Sequence, residues 1–201
     1  MNTQTENTNK KIGLYFGSFN PVHLGHVNLA QYIIDNQYVD EVWFVVSPHN
    51  PLKEDTELVD ENIRLKMVEL AIQNHPQLKV SDLEFSLPKP SYTINSLHAF
   101  SEKYPENKFY LLIGSDNVLI FDQWKDYQKI LEEYPVLVYP RKNFDASHLL
   151  SKYPQMKFLS TPYYDISSST IRQALKEQKD VDKWLHPAVY QFIIENKLYQ
   201  Q

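Results

Sequence analysis

Two histidines three residues apart, His23 and His26, close the run Gly17-Ser18-Phe19-Asn20-Pro21-Val22-His23-Leu24-Gly25-His26. A strand-like run, Ile12 to Phe16, precedes this segment, and a helix-like run, Val27 to Ile34, follows it. A strand that turns into a helix presents free N–H groups and a positive dipole end, a natural place to hold phosphate. Gly17 permits a tight turn. Pro21 suits a first helical turn, where its missing N–H would have no helical partner. The spacing puts both imidazoles on one helix face, each able to donate to a phosphate oxygen, and Gly25 between them keeps the approach open.

Further polar groups fall at comparable places. Ser167-Ser168-Ser169 followed by Arg172 reads as a capped helix start with an arginine one turn in, whose planar fork can pair with phosphate oxygens. Pro48-His49-Asn50-Pro51-Leu52-Lys53 is a loop ending in a cation, and Gly114-Ser115-Asp116 places a carboxylate after a strand. Pro90 to Leu97 opens a helix at Ser91 or Thr93, and a helix start can take a carboxylate through its N–H groups. Arg141, after a further expected strand, is another candidate contact for phosphate or nucleotide.

The elements that would position these groups alternate. Strands are expected at Ile12–Phe16, Glu41–Ser47, Leu78–Phe85, Lys108–Ile113, Val136–Tyr139 and a short Lys157–Ser160. Helices are expected at Leu24–Asn36, Asp60–Asn74, Ser91–Tyr104, Ser167–Lys176 and Pro187–Leu198. This pattern predicts an α/β fold: a Rossmann-like, doubly wound, mostly parallel open sheet with helices on both faces and a small C-terminal helical part. Such sheets bind ligands beyond the carboxyl ends of their strands. The loops after the first, second and fourth strands all carry candidate residues. The chain holds only four glycines, Gly13, Gly17, Gly25 and Gly114, so G-x-G-x-x-G and Walker A loops are excluded.

The first segment resembles the G-x-F-x-P-x-H-x-G-H signature of the HxGH nucleotidyltransferase superfamily, and Ile166-Ser167-Ser168-Ser169-Thr170-Ile171-Arg172 resembles its second signature. Within that superfamily the chain is most similar to the bacterial nicotinate-nucleotide adenylyltransferases, from Lys11 onward. The resemblance implies transfer of AMP from ATP to nicotinate mononucleotide, giving deamido-NAD and pyrophosphate in NAD biosynthesis. The same chemistry on nicotinamide mononucleotide or phosphopantetheine is an alternative, as is nucleotide binding without turnover.

Residue roles follow from the resemblance. His23, His26 and Arg172 are the implied catalytic residues. Gly17, Ser18, Phe19, Gly114, Asp116, Ser167 and Ser168 join them around ATP, with Asp116 near ribose hydroxyls. Asn20, Lys53, Tyr92, Thr93, Trp124 and Arg141 are implied for the acceptor. Asn20 stands where Asp is more usual, and Asn95 likewise in the S-Y-T-x-D-T-L segment.

Composition narrows the partners. Of 201 residues 42% are hydrophobic, enough for a substantial core, and the formal net charge is −5. An acidic chain argues against nucleic acid as the main partner, so positive charge for an anionic substrate must be local. The absence of cysteine excludes disulfides and thiolate metal sites. No Asp/Glu cluster suggests a metal cage, so Mg²⁺ is expected to arrive with ATP rather than at a protein-only site. Residues 1–10 read as a polar tail without the apolar core of a signal peptide, and residues 11–201 as one domain. No run is long enough to span a bilayer, so a cytoplasmic protein is expected. A homo-oligomer is compatible with this reading.

Overall fold

The computed structural model describes residues 9–48 and 58–200. Six parallel strands form one sheet in the order β3-β2-β1-β4-β5-β6. They are β1 Lys11–Gly17, β2 Glu41–Val46, β3 Leu78–Ser81, β4 Lys108–Gly114, β5 Val136–Tyr139 and β6 Met156–Phe158. Among the described residues the helices are α1 Leu24–Asp35, α2 Glu61–Ile72, α3 Thr93–Lys103, α4 Ser115–Val118, α5 Tyr127–Glu133, α6 Ser168–Lys176 and α7 Pro187–Glu195. Chain order reverses between β1 and β4, which pair directly. The carboxyl ends of those two strands therefore flank the switch-point crevice of an open α/β sheet.

Strand alternation divides the core into two layers. Val42, Phe44 and Val46 of β2 and Leu137 and Tyr139 of β5 face one side, packed with α1, α2, α6 and α7. Trp43, Val45, Val136 and Val138 face the other, with Ile94, Leu97 and Phe100 of α3 and Ile130 of α5. Every residue of β2 is buried, as expected of a strand covered on both faces.

Several boundaries differ from expectation. β3 ends at Ser81, because a 3-10 turn over Leu83–Ser86 replaces its second half, with Ser81 Oγ accepting from the Leu83 amide at 3.2 Å. α1 begins at Leu24, so Pro21 lies ahead of the helix and not in its first turn. The cap of α3 is Tyr92, without a side-chain bond, rather than Ser91 or Thr93. α5 had no counterpart in the sequence reading: it is short, buries only Ile130 and starts after Asp126, whose φ is 52°. The Lys10 carbonyl accepts from the Lys108 amide at 2.8 Å, and Lys10 Nζ pairs with Glu41 at 2.7 Å. No helix among the described residues is long and apolar enough to cross a membrane.

Candidate active site

The turn after β1 is the centre of the site. Phe19 adopts φ 47° and buries its ring against Tyr15, Phe44 and His26, with centroids 5.6, 5.3 and 5.2 Å away. A Cβ on Gly17 would lie 2.9 Å from that ring. Gly17 is therefore needed for close packing, and its own φ is not positive. His23 is the N-cap of α1 and His26 its third residue. The two imidazoles stack at 3.6 Å between centroids. Gly25 serves that stack: a Cβ there would come within 3.0 Å of His23 Nδ1 and 3.2 Å of Tyr164 Cβ.

Both histidines are held neutral. Burial, reinforced by the Arg141 cation, pushes His23 down to about 3. His26 is driven well below its ordinary value by burial, then by His23 and Arg141. Its Nδ1 accepts from the His23 amide at 3.2 Å. A neutral ring whose Nδ1 accepts must carry its proton on Nε2, so His26 is a neutral Nε2–H donor. His26 is only partly exposed and packs edge-on against Tyr15 and Phe19. His23 Nδ1 is buried and faces the His26 amide in a capping-box arrangement, without a hydrogen bond of normal geometry.

The second motif docks onto the first. Ser167 caps α6 by accepting from the Thr170 amide at 3.1 Å. Ser168 Oγ donates to the Pro21 carbonyl at 2.9 Å, and Arg172 Nη1 donates to the Asn20 carbonyl at 2.9 Å. Segments nearly 150 positions apart thus share one polar seam.

Among the described residues a cavity of about 430 Å³ lies beyond Arg141, lined by Ser115, Phe144 and Tyr163, and two others flank the turn after β1. The larger of these two, about 330 Å³, is lined by Gly17, Ser18, Tyr92, Thr93, Gly114 and Trp124, among others. That volume lies within the range of small-molecule sites. Lys125 Nζ sits 4.5 Å from the Tyr92 ring centre at its rim. Trp124 Nε1 is buried without a hydrogen-bond partner. The smaller cavity, about 60 Å³, is lined by His23, His26, Arg141 and Tyr164. Tyr139 borders both.

The structure redistributes several expected residues. Arg141 stands with the histidine pair and not with Trp124, and it pairs with Asp116 at 3.6 Å. Asp116 is therefore partly engaged by a cation. Asn20 is 1% exposed, and its Oδ1 accepts from the Tyr199 hydroxyl at 2.7 Å and from the Val59 amide at 3.4 Å. It braces the turn from inside and lines neither cavity. Lys53 lies outside the described residues.

Two residues were missed by the sequence reading. Glu84 is buried in the wall of the larger cavity and accepts from Ser91 Oγ at 3.4 Å and from Ser96 Oγ. Burial pushes its carboxyl up, against the pull of the Ser96, Ser47 and Ser91 hydroxyls. It anchors the first turn of α3 on both sides of Tyr92 and Thr93. Arg64 is fully buried beneath the first turn and donates to the Ser18 carbonyl within the motif. Among the described residues no group of three or more His, Cys, Asp or Glu could hold a metal ion.

Sheet order, the paired motifs and the histidine stack together define a nucleotidyltransferase, and a cytidylyltransferase-like family model matches residues 14–174. A Bacteroides fragilis protein described as a probable nicotinate-nucleotide adenylyltransferase is 47% identical over 187 residues, covering 92% of each chain. Its counterpart in Flavobacterium johnsoniae is 41% identical, covering 95% of this chain and all of the other. The solved Plasmodium falciparum nicotinic acid mononucleotide adenylyltransferase, in complex with NaAD, superposes with a TM-score of 0.81 at 27% identity, covering 94% of this chain and 97% of that one. The chain belongs to the nicotinate-nucleotide adenylyltransferase family.

Proposed function

We propose that this protein joins ATP to nicotinate mononucleotide, forming deamido-NAD and releasing pyrophosphate. The observation that carries the reading is the seam between the two motifs, Arg172 to Asn20 and Ser168 to Pro21, beside a cavity that ends at Trp124 and the start of α3. Relatives named for this reaction support it.

An oxygen of the mononucleotide phosphate attacks the α-phosphorus of ATP. One P–O bond forms there as the bond to the β-phosphate oxygen breaks, and the electron pair leaves on pyrophosphate. The attacking phosphate is already an anion and needs no strong base. Catalysis then rests on alignment and on donors aimed at the developing charge. His26 Nε2–H is such a donor, and its neutral ring avoids the burial of a second cation beside Arg141. Arg172, one turn inside α6, would hold the β- and γ-phosphates, with the turn at Gly17, Ser18 and Phe19 lining the path between. Tyr92 and Thr93 would present amide N–H groups to the nicotinate carboxylate while Trp124 stacks on the ring.

Mg²⁺ would accompany ATP and neutralise phosphate charge. With Asp116 beside Arg141 and no ligand cluster among the described residues, the donor set fits an ion carried by the nucleotide. Calorimetry should then show weak Mg²⁺ binding to nucleotide-free protein alongside an absolute requirement in turnover. Tight binding without nucleotide would contradict this.

The deciding assay is pyrophosphate release from ATP with nicotinate mononucleotide, nicotinamide mononucleotide or phosphopantetheine as acceptor. The first should be the best substrate. Release with none of them would overturn the reading.

A further inference from the structure

A charged side chain in the first half of α2 has no exposed surface. The Arg64 guanidinium donates from Nε to the Val59 carbonyl at 2.7 Å. Its Nη1 donates to the carbonyls of Ser18 at 2.6 Å and Ser47 at 2.8 Å, and its Nη2 to that of Pro48 at 3.1 Å. These acceptors belong to the turn after β1, the end of β2 and the approach to α2. Burying a guanidinium completely is costly, and an apolar side chain of similar volume would fill the core at less cost. A specific geometric need accounts for its presence better than packing does.

The need lies in the turn. Peptide groups are planar and, outside rare cases, trans, so the N–H of Phe19 points opposite to the Ser18 carbonyl. Arg64 draws that carbonyl inward and so turns the Phe19 N–H outward. Phe19 itself sits at φ 47°, a conformation that persists in a bulky residue only when its surroundings over-determine it. The ring is held by Tyr15, Phe44 and His26, and the preceding carbonyl by Arg64. The same guanidinium fixes Ser47, whose amide donates to the Gly17 carbonyl at 2.9 Å. Both sides of the turn are therefore referred to one rigid planar group.

We propose that Arg64 is a positioning residue that sets the orientation of the Gly17–Phe19 turn toward ATP without touching substrate. The proposal rests on the reading that this turn faces the ATP phosphates. A lysine keeps the charge but lacks the five-donor fork, and methionine keeps much of the volume without either.

The test is calorimetric titration of ATP, with Mg²⁺ and no acceptor, into full-length protein carrying Arg64→Lys or Arg64→Met, beside the parent and Arg172→Lys. Stoichiometry reads the folded fraction and the dissociation constant reads the turn. In the Arg64 variants the constant should rise about tenfold or more, with stoichiometry kept near the parent value. If Arg64→Met does not fold, Arg64→Lys carries the measurement. A lowered stoichiometry with an unchanged constant would make Arg64 merely structural and overturn the proposal. An unchanged constant in the Arg64 variants but a raised one in Arg172→Lys would sink the proposal and leave the site reading standing. Unchanged constants throughout would remove the site reading as well, and this proposal with it.

Discussion

The guanidinium of Arg172 donates to the main-chain carbonyl of Asn20 at 2.9 Å, across 152 positions of sequence. The bond joins α6, one turn past its start, to the loop that leads into α1. A residue expected to grip phosphate is thus already oriented by the other motif. Replacing Arg172 by lysine keeps the charge and loses the fork, so one amine cannot serve both the carbonyl and a pair of phosphate oxygens. Arg172→Lys should raise the KM for ATP about tenfold and change the acceptor KM far less. Steady-state kinetics with each substrate varied in turn checks this, and an unchanged ATP KM and kcat would make Arg172 a seam residue only.

His26→Ala should leave a folded protein with most turnover lost. The Nε2–H donor is removed, a class of change costing about 2.7–4 kcal/mol in the transition state, or roughly a hundred- to a thousandfold in kcat. Because the ring also packs on Tyr15 and Phe19 and accepts from the His23 amide, a modest drop in Tm should accompany the loss. Near-normal kcat in the folded variant would remove His26 from the chemistry.

Much of this arrangement could be read from residue order. The continuous apolar run of β2 and the turn into α1 announced the sheet and its first loop, and the histidine pair and Trp124 do line cavities there. Arg64 and Glu84 could not be read. A lone arginine among Asn, Leu and Lys looks like a solvated helix face, and the four acceptors that hold it among the described residues are carbonyls, which every residue possesses. Glu84 fell within an expected strand, where a carboxylate reads as an outward-facing residue; the 3-10 turn rotates it inward onto serines. Asn20 misled for the converse reason. Its place in the motif suggested ligand contact, but the partner that occupies it, Tyr199, comes from the far end of the chain.

Acid should weaken the fold partly through His23. Its value is held at about 3 in the folded protein, against about 6.5 when unfolded. Between those values the unfolded chain binds more protons, so stability rises with pH and is lost as pH falls from about 6.5 toward 3. His23→Gln removes the titrating group. Urea unfolding from pH 7 to pH 4 should show a shallower acid loss for the variant, by up to about one proton per chain. Equal slopes would mean that His23 protonates without cost in the folded state.

Acid and amide acceptors should be distinguished at the start of α3. The larger cavity presents the first turn at Tyr92 and Thr93, held on both sides by the bonds of Ser91 and Ser96 to Glu84. A helix N-terminus favours an anion, and Lys125, stacked over Tyr92, adds positive charge at the rim. A carboxylate can accept from the exposed amides with both oxygens. A carboxamide would bring its NH₂ against those N–H donors and leave one group poorly paired, at about 1–3 kcal/mol. The ratio of kcat/KM for nicotinate over nicotinamide mononucleotide should therefore be about ten- to a hundredfold. In the proposed pose Trp124 would stack on either ring, so Trp124→Ala should impair both acceptors alike and leave the ratio unchanged. Replacing Thr93 by proline deletes one amide donor at the helix start and should lower the ratio selectively. Competition kinetics with both mononucleotides would read these changes. Equal kcat/KM for acid and amide in the parent protein would dismiss the helix start as the source of selectivity and leave adenylyl transfer untouched.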